Sequence, residues 1–467
     1  MPNPLAPEWL DASVDANALV PGIWSAGVER DGAGQISVQG ISVNDLAHRF
    51  GTPLYVMDED FARAQAIRVR EAFDAAASAA STSAKVYYAS KAFLCTSIAR
   101  LVVDAGLLID VASGGELAVA LAAGIDPAKI GLHGNNKSVA EIERAVSVGV
   151  STLVIDSDWE IERVASAAAS AGRRQRVRLR VNSGVHASTH SFLATAHEDQ
   201  KFGVTIADAP ALVAEIRSFD SLEFVGLHCH IGSQIFGTSG FAESAKRLVA
   251  LHAQLAAIAP IAELNLGGGF GIAYKPGDAP TDIETIAAEI VQAVASECAA
   301  NGVAVPILAF EPGRAIVGTS TFTLYSVGTT KEVSLDIEGE TATRLYVSVD
   351  GGMSDNARPS LYGSDYHVRL ANRISPEDAQ LVRVAGKHCE SGDIVVNADY
   401  LPGDVEPGDL LAVPATGAYC WSLSSNYNYL ARPAVVAVSG GEARVIVRGE
   451  TEADLLARDA GITGGNS

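Results

Sequence analysis

Between Val86 and Arg314 this chain alternates eight short apolar or β-branched runs with alanine-rich stretches long enough for a helix. The runs are VYYAS (86–90), LLIDVAS (107–113), KIGLHG (129–134), TLVIDS (152–157), RVRLRVN (176–182), FVGLHCHIGS (224–233), ELNLGGGF (263–270) and ILAFEPGR (307–314). One spacer carries Phe241, Ala245, Leu248, Val249 and Leu255 on one helical face. Strand–helix–strand crossovers of this kind are right-handed and build parallel sheets. Eight such units suit a closed barrel better than an open doubly wound sheet, which uses about six strands. The expected fold class is therefore α/β: a TIM-type (β/α)8 barrel over residues 51–315, with an extra helix from Glu59 to about Ala80 ahead of its first strand. Past Arg314 the texture changes. FTLYSVGTTKEV, RLYVSVDGG, LVRVAG, DIVVNADY, DLLAVPA and ARVIVRGE are short strands parted by Gly, Pro and Asp turns. They define an all-β domain over 316–467, to which the N-terminal segment 1–50 is expected to add a strand through QISVQGISV. The acidic stretch KEVSLDIEGETATR (331–344) reads as a solvated hairpin.

Composition narrows the class of function. With 467 residues, 48% of them hydrophobic, the chain is neither disordered nor a disulfide-stapled miniprotein. A net charge of −21 disfavours nucleic acid and anionic membrane as partners, and an anionic ligand must meet a local positive site. Five cysteines without a C-x-x-C pair point to a reducing compartment, with neither structural zinc nor disulfides. The first residues have no basic n-region ahead of an apolar core, and the longest uncharged run, Leu410 to Ala431, is broken by Pro414 and Gly417. The chain reads as soluble and cytoplasmic.

In such barrels chemistry sits at the C-terminal strand ends. Those ends carry Lys91, Ser113, His133, Asn135, Asn182, His230, the glycines 267–269, Glu311 and Arg314. GGGFG (267–271) and the EPGR turn (Glu311, Pro312, Gly313, Arg314) occupy the places where barrels hold phosphate with backbone N–H groups, although a GGG turn also serves as a plain tight turn. Lys91 is either a surface lysine or, across the mouth from those turns, the amine that holds the aldehyde of a phosphate-bearing cofactor. His228 and His230 fall on one strand face, as a core and a rim histidine, a metal pair, or a ring stacked on a planar cofactor. Metal is disfavoured because only His133 and scattered Asn and Ser could complete a ligand set. Glu311 either pairs with Arg314 or faces a pyridine nitrogen.

The β domain adds three polar segments. In GKHCESGD (386–393) Cys389 follows Lys387 and His388, positive neighbours that favour a thiolate, so a proton-transferring thiol is one reading and a polar hairpin turn the other. GAYCWSLSSNYN (417–428) carries Cys420, which reads as packing. DGGMSDNARPSLYG (350–363) offers Arg358 and Tyr362 to a substrate carboxylate.

Taken together and in order, GTPLYVMD, YYASKAF, HCHIGSQ, LNLGGGFGI, EPGR, DGGMSDNARPSLYG, GKHCESGD and GAYCWSLSSNYN resemble the diaminopimelate decarboxylases, from about Gly51 to Tyr429. The resemblance implies a pyridoxal 5'-phosphate enzyme that converts meso-2,6-diaminopimelate to L-lysine and CO2, the last step of lysine biosynthesis. It further implies a homodimer with active sites at the interface. By the same likeness Lys91 is the Schiff-base lysine and His230 the ring-stacking histidine. Gly268, Gly269 and the turn Glu311, Pro312, Gly313 and Arg314 contact the cofactor, with Glu311 at the pyridine nitrogen. Arg314, Arg358 and Tyr362 bind substrate carboxylate, Glu390 the distal amine, and Tyr419 both substrate and cofactor. Cys389 is the proton donor, reaching in from the partner subunit. The loop VNSGVHASTHSFLATAHEDQKFG resembles the family's and suits an active-site cover. The alternatives are a decarboxylase of ornithine, lysine or arginine on the same fold, or an inactive decarboxylase-like regulator.

Overall fold

The computed structural model describes residues 3–12, 15–185, 200–337 and 339–462. The chain divides into two compact units, one of Arg63–Gly271 and Pro280–Ile316, the other of Met1–Ala62, Ile272–Ala279 and Val317–Ser467.

The first unit is a closed parallel barrel. Its strands are β1 (Ala84–Ala89), β2 (Leu108–Val111), β3 (Ile130–Leu132), β4 (Thr152–Ile155), β5 (Gln175–Asn182), β6 (Leu222–His228), β7 (Glu263–Asn265) and β8 (Ile307–Phe310). Each pairs in parallel with the next, and β8 returns to β1 through Leu308↔Ala84 and Phe310↔Val86. All eight apolar runs thus become barrel strands. Side-chain caps set where the helices begin: Ser113 Oγ accepts from Glu116 N–H at 3.1 Å, and Ser138 with Glu141 forms a reciprocal capping box. The helix Ser239–Ala256 buries Phe241, Ala245, Leu248, Val249 and Leu255, as its spacing requires. The added helix Glu59–Ala79 packs Phe73 on Phe310, ring centroids 3.9 Å apart.

At the N-terminal side of the barrel lies a buried ionic cluster. Glu263, the first residue of β7, takes the guanidinium of the fully buried Arg178 at 2.6 Å, Arg176 at 2.8 Å and the ammonium of Lys85. Burial alone would raise this carboxyl. The cations outweigh it and bring the pKa down to about 2.

The second unit is built on a sheet ordered Ile394–Pro402, Ala379–Ala385, Glu340–Val349, Thr321–Ile337, Leu54–Asp58, Ala434–Ser439, Glu442–Val447. Leu410–Val413 lies on Thr321–Ile337 as well, and Arg369–Leu370 on Leu410–Val413. Thr321–Ile337 and Glu340–Val349 form the expected exposed acidic hairpin. The N-terminal contribution differs from the expectation. Residues 36–42 fold back on themselves, because Gln39 and Gly40 both take positive φ (49° and 81°) and close a tight hairpin within a small three-stranded sheet. The strand supplied to the large sheet is Leu54–Asp58, antiparallel to Thr321–Ile337 and parallel to Ala434–Ser439, so the barrel unit begins at Arg63 instead of residue 51.

All five cysteines are free. Among the described residues no helix is long and apolar enough to cross a membrane. The loop expected to cover the site falls mainly on residues 186–199, outside the described residues.

Candidate active site

The C-terminal strand ends of the barrel converge on one carboxylate. Glu311, one residue past β8 and buried, accepts from Asn265 Nδ2 at 2.7 Å, and lies 3.1 Å from His228 Nε2 and 3.4 Å from His133 Nε2. His133 Nε2 also lies 3.1 Å from Asp110 Oδ1, so two carboxylates share one imidazole. Two such neighbours in a dry site cannot both ionise cheaply. Burial and the charge of Glu311 push Asp110 well above the usual range. Burial works the same way on Glu311, but the two imidazoles and the hydrogen bond from His228 outweigh it and hold it well below. Of the two carboxyls, the mouth therefore favours the ionised form at Glu311 and the protonated form at Asp110. Glu311 pairs with this set, while Arg314 donates to Ser233 Oγ at 2.8 Å. The His133, His228 and Glu311 ligand atoms lie within 4.8 Å of one another, and hydrogen bonding to the carboxylate accounts for that convergence.

Lys91 is exposed in the short turn Ser90–Ala92 that follows β1, and its charge reaches Asp110, Glu116 and His230. Beside it Ser90 Oγ is buried with no partner among the described residues, a polar atom left for a ligand. His230 stands just past β6. Its Nδ1 accepts from Gly268 N–H at 3.3 Å, which fixes the ring plane. Burial, then the positive charges of Lys91 and Arg180, hold its pKa well below the ordinary imidazole value, so the ring is neutral. The glycine turn is pinched between the ends of β6 and β8. A Cβ on Gly268 would lie 2.0 Å from the Glu311 carbonyl oxygen, and one on Gly269, at φ 109°, 2.2 Å from that of Gly232. Only glycine brings backbone N–H groups to the mouth here. A buried carboxylate favoured in its ionised form, a neutral ring held in plane, a glycine cradle and an exposed lysine together fit a cofactor with a pyridine ring, a phosphate and an aldehyde.

The remaining candidates lie in the sheet unit. Arg358 opens the helix Arg358–Tyr362. It is buried, donates to Tyr366 Oη at 2.6 Å and stacks 4.5 Å over the Tyr274 ring. Tyr362 ends that helix and is 67% exposed. Cys389 and Glu390 are exposed on the 386–393 turn, and Tyr419 is half-buried at φ 63°. Cys420, read as packing, is buried with its thiol 3.4 Å from Tyr366 Oη. Reading strand ends alone did not find the roles of Asp110, Asn265 and His133 around Glu311. LLIDVAS and ELNLGGG place the first two inside strands, where a polar residue among apolar neighbours was the available signal.

Residues 66–318, more than half of the chain, match the family model of the pyridoxal-dependent decarboxylase, pyridoxal binding domain. The diaminopimelate decarboxylase of Mycobacterium tuberculosis is 50% identical over 446 residues, spanning 94% of this chain and 98% of that protein. That of Mycobacterium leprae is 49% identical over 96% and 95%. The chain belongs to the diaminopimelate decarboxylase family.

Solved members of the family share the architecture. The M. jannaschii diaminopimelate decarboxylase in complex with L-lysine superposes with a TM-score of 0.86 at 32% identity, covering 93% of this chain and 98% of that one. The Helicobacter pylori diaminopimelate decarboxylase with L-lysine gives 0.78 at 29%, covering 89% and 98%. A lysine/ornithine decarboxylase of Vibrio vulnificus, at 20% identity and a TM-score of 0.69 over 85% of this chain and 97% of that one, shares the fold.

Proposed function

We infer that this chain decarboxylates meso-2,6-diaminopimelate to L-lysine and CO2 with pyridoxal 5'-phosphate. The observation that carries the reading is Lys91, His230 and a buried, ionised Glu311 on the strand ends of one barrel, in a chain half identical to diaminopimelate decarboxylases along nearly all its length. When bound, the cofactor supplies the electron sink for the pair left behind as CO2 departs.

The chain's own residues do the rest. Lys91 would tether the cofactor through its amine, Glu311 would keep the pyridine nitrogen protonated, and the neutral His230 offers a ring face. Backbone N–H groups of Gly269 and Gly313 suit the phosphate, together with the turn through Pro312 and Arg314, while Gly268 contacts the cofactor site through the N–H that holds His230. Arg358, a permanent cation fixed by Tyr366 and Tyr274, suits a substrate carboxylate, with Arg314 and Tyr362. In an acidic chain such fixed cations are what draw a dicarboxylate in. Glu390 suits the distal amine, and Tyr419 both substrate and cofactor. Cys389 returns a proton to the carbon that lost CO2. Its exposure, with that of Tyr362, Tyr427 and Tyr429, supports a homodimer in which this turn completes the partner's site, in the cytoplasm where thiols stay reduced.

Cys389→Ala should retain the cofactor's absorbance and lose much of the turnover. Wild-type turnover in that variant would remove Cys389 from the role.

A further inference from the structure

The turn that carries Cys389 and Glu390 is held from three sides within the sheet unit. Asp393, buried, accepts the N–H of His388 at 2.8 Å and of Met353 at 2.6 Å, and its Oδ2 lies 2.8 Å from His388 Nδ1. Ser360 Oγ donates to the Gly392 carbonyl at 2.8 Å. The third hold acts on the cysteine itself: Asn428 Oδ1 accepts the Cys389 N–H at 3.0 Å.

Asn428 reaches that position from an unusual backbone. Asn428 and Tyr429 sit consecutively in the left-handed region, at φ 53° and 58°. Asn adopts such a conformation readily, but a Tyr keeps it only where its surroundings impose it. On one flank the Tyr427 ring stacks on His388, centroids 5.6 Å apart and planes within 5°. Glycine would suit the backbone of residue 428 as well as Asn does but bring no acceptor. The bond it makes is exposed at both ends, so it adds little to fold stability. Strain kept for a weak bond points to geometry as what is gained, and a proton donor displaced by about 1 Å loses rate steeply.

We propose that Asn428 is a positioning residue for Cys389: its amide oxygen, aimed by the strained Tyr427–Tyr429 turn, fixes the Cys389 backbone and with it the thiol. The proposal rests on the reading of Cys389 as the proton donor. In that step the S–H bond breaks as the new C–H bond forms, and the thiolate recovers a proton from solvent.

Three holoenzyme variants test it. Asn428→Gly deletes the acceptor while suiting the left-handed backbone, Asn428→Asp keeps both acceptor and conformation, and Cys389→Ala controls for the donor. Asn428→Gly should keep the cofactor spectrum and thermal stability and lose about tenfold in kcat, with KM within about twofold and a severalfold change in the rate at which iodoacetamide alkylates Cys389. Asn428→Asp should restore most of the turnover. Equal losses in the two Asn428 variants, a raised KM at unchanged kcat, or wild-type alkylation of Cys389 in Asn428→Gly would each overturn the positioning role. Full turnover in Cys389→Ala would instead bring down the donor reading and the catalytic half of this proposal, while the alkylation rate still decides whether Asn428 fixes Cys389.

Discussion

At the barrel mouth, Lys91, His230 and Glu311 stand at the ends of strands that the whole barrel keeps in register. Cys389 and Glu390 stand on a turn of the sheet unit pinned one side-chain hydrogen bond at a time, and Tyr419 stands in another turn of that unit. In the first region topology places the chemistry, and charge competition among buried groups then tunes it. In the second, local backbone devices do the placing: left-handed residues at 419, 428 and 429 and the buried carboxylate of Asp393. A mouth built this way should fail through electrostatics, and a turn built this way through geometry.

The sharpest break is at Glu311. Glu311→Gln removes the carboxylate that His133 and His228 favour in its ionised form, and kcat should fall by roughly 100-fold to 1,000-fold, with weakened cofactor retention measured by absorbance after gel filtration. Next comes the opposite end of the barrel. Glu263→Gln strands the buried Arg178 beside Lys85 and Arg176, and should cost about 3–5 kcal/mol in chemical denaturation while KM of the surviving enzyme stays within about twofold.

A third prediction concerns the sheet unit's own core. Asp355 accepts from Tyr325 Oη, and burial pushes its pKa up to about 7 from an ordinary 3.8. Between those values the folded chain binds a proton that the unfolded chain has released, so this group's stabilisation is complete below the lower value and lost as pH rises through the upper one. The melting temperature of wild type should therefore fall more between pH 5 and pH 8 than that of Asp355→Asn. The smallest effect is expected at Asp110. Its protonated form being the favoured one, it should lose less than about tenfold in kcat when changed to Asn, well short of the Glu311→Gln loss. Equal losses at the two positions would contradict the assigned charge states.

How much of this was legible in the sequence follows the same division. The eight strands and the polar residues at their ends could be read because period and crossover handedness leave few other arrangements. Leu54–Asp58 could not be placed, since LYVMD is buried along its whole length, and its partners at 321–324 and 434–438 are far away in the chain. Ala434–Ser439 escaped for the same reason. The imidazole and amide contacts to Glu311 come from β6, β7 and the turn after β3, and the bond from Cys389 to Asn428 spans 39 positions. No local pattern encodes such pairings. Arg358 was legible as a carboxylate-binding cation from its own segment, whereas the roles proposed for Glu390 and Tyr419 come only through the likeness of whole motifs to a family.

The central claim is that the barrel mouth, through Lys91, drives the loss of CO2 from meso-diaminopimelate. Its most direct test is to measure L-lysine and CO2 from that substrate with added pyridoxal phosphate, running Lys91→Ala beside the wild type. Equimolar lysine and CO2 from the wild type, with none from Lys91→Ala, is the predicted result. A cofactor-loaded wild type that forms neither product, or a Lys91→Ala variant that forms both at the wild-type rate, would contradict it.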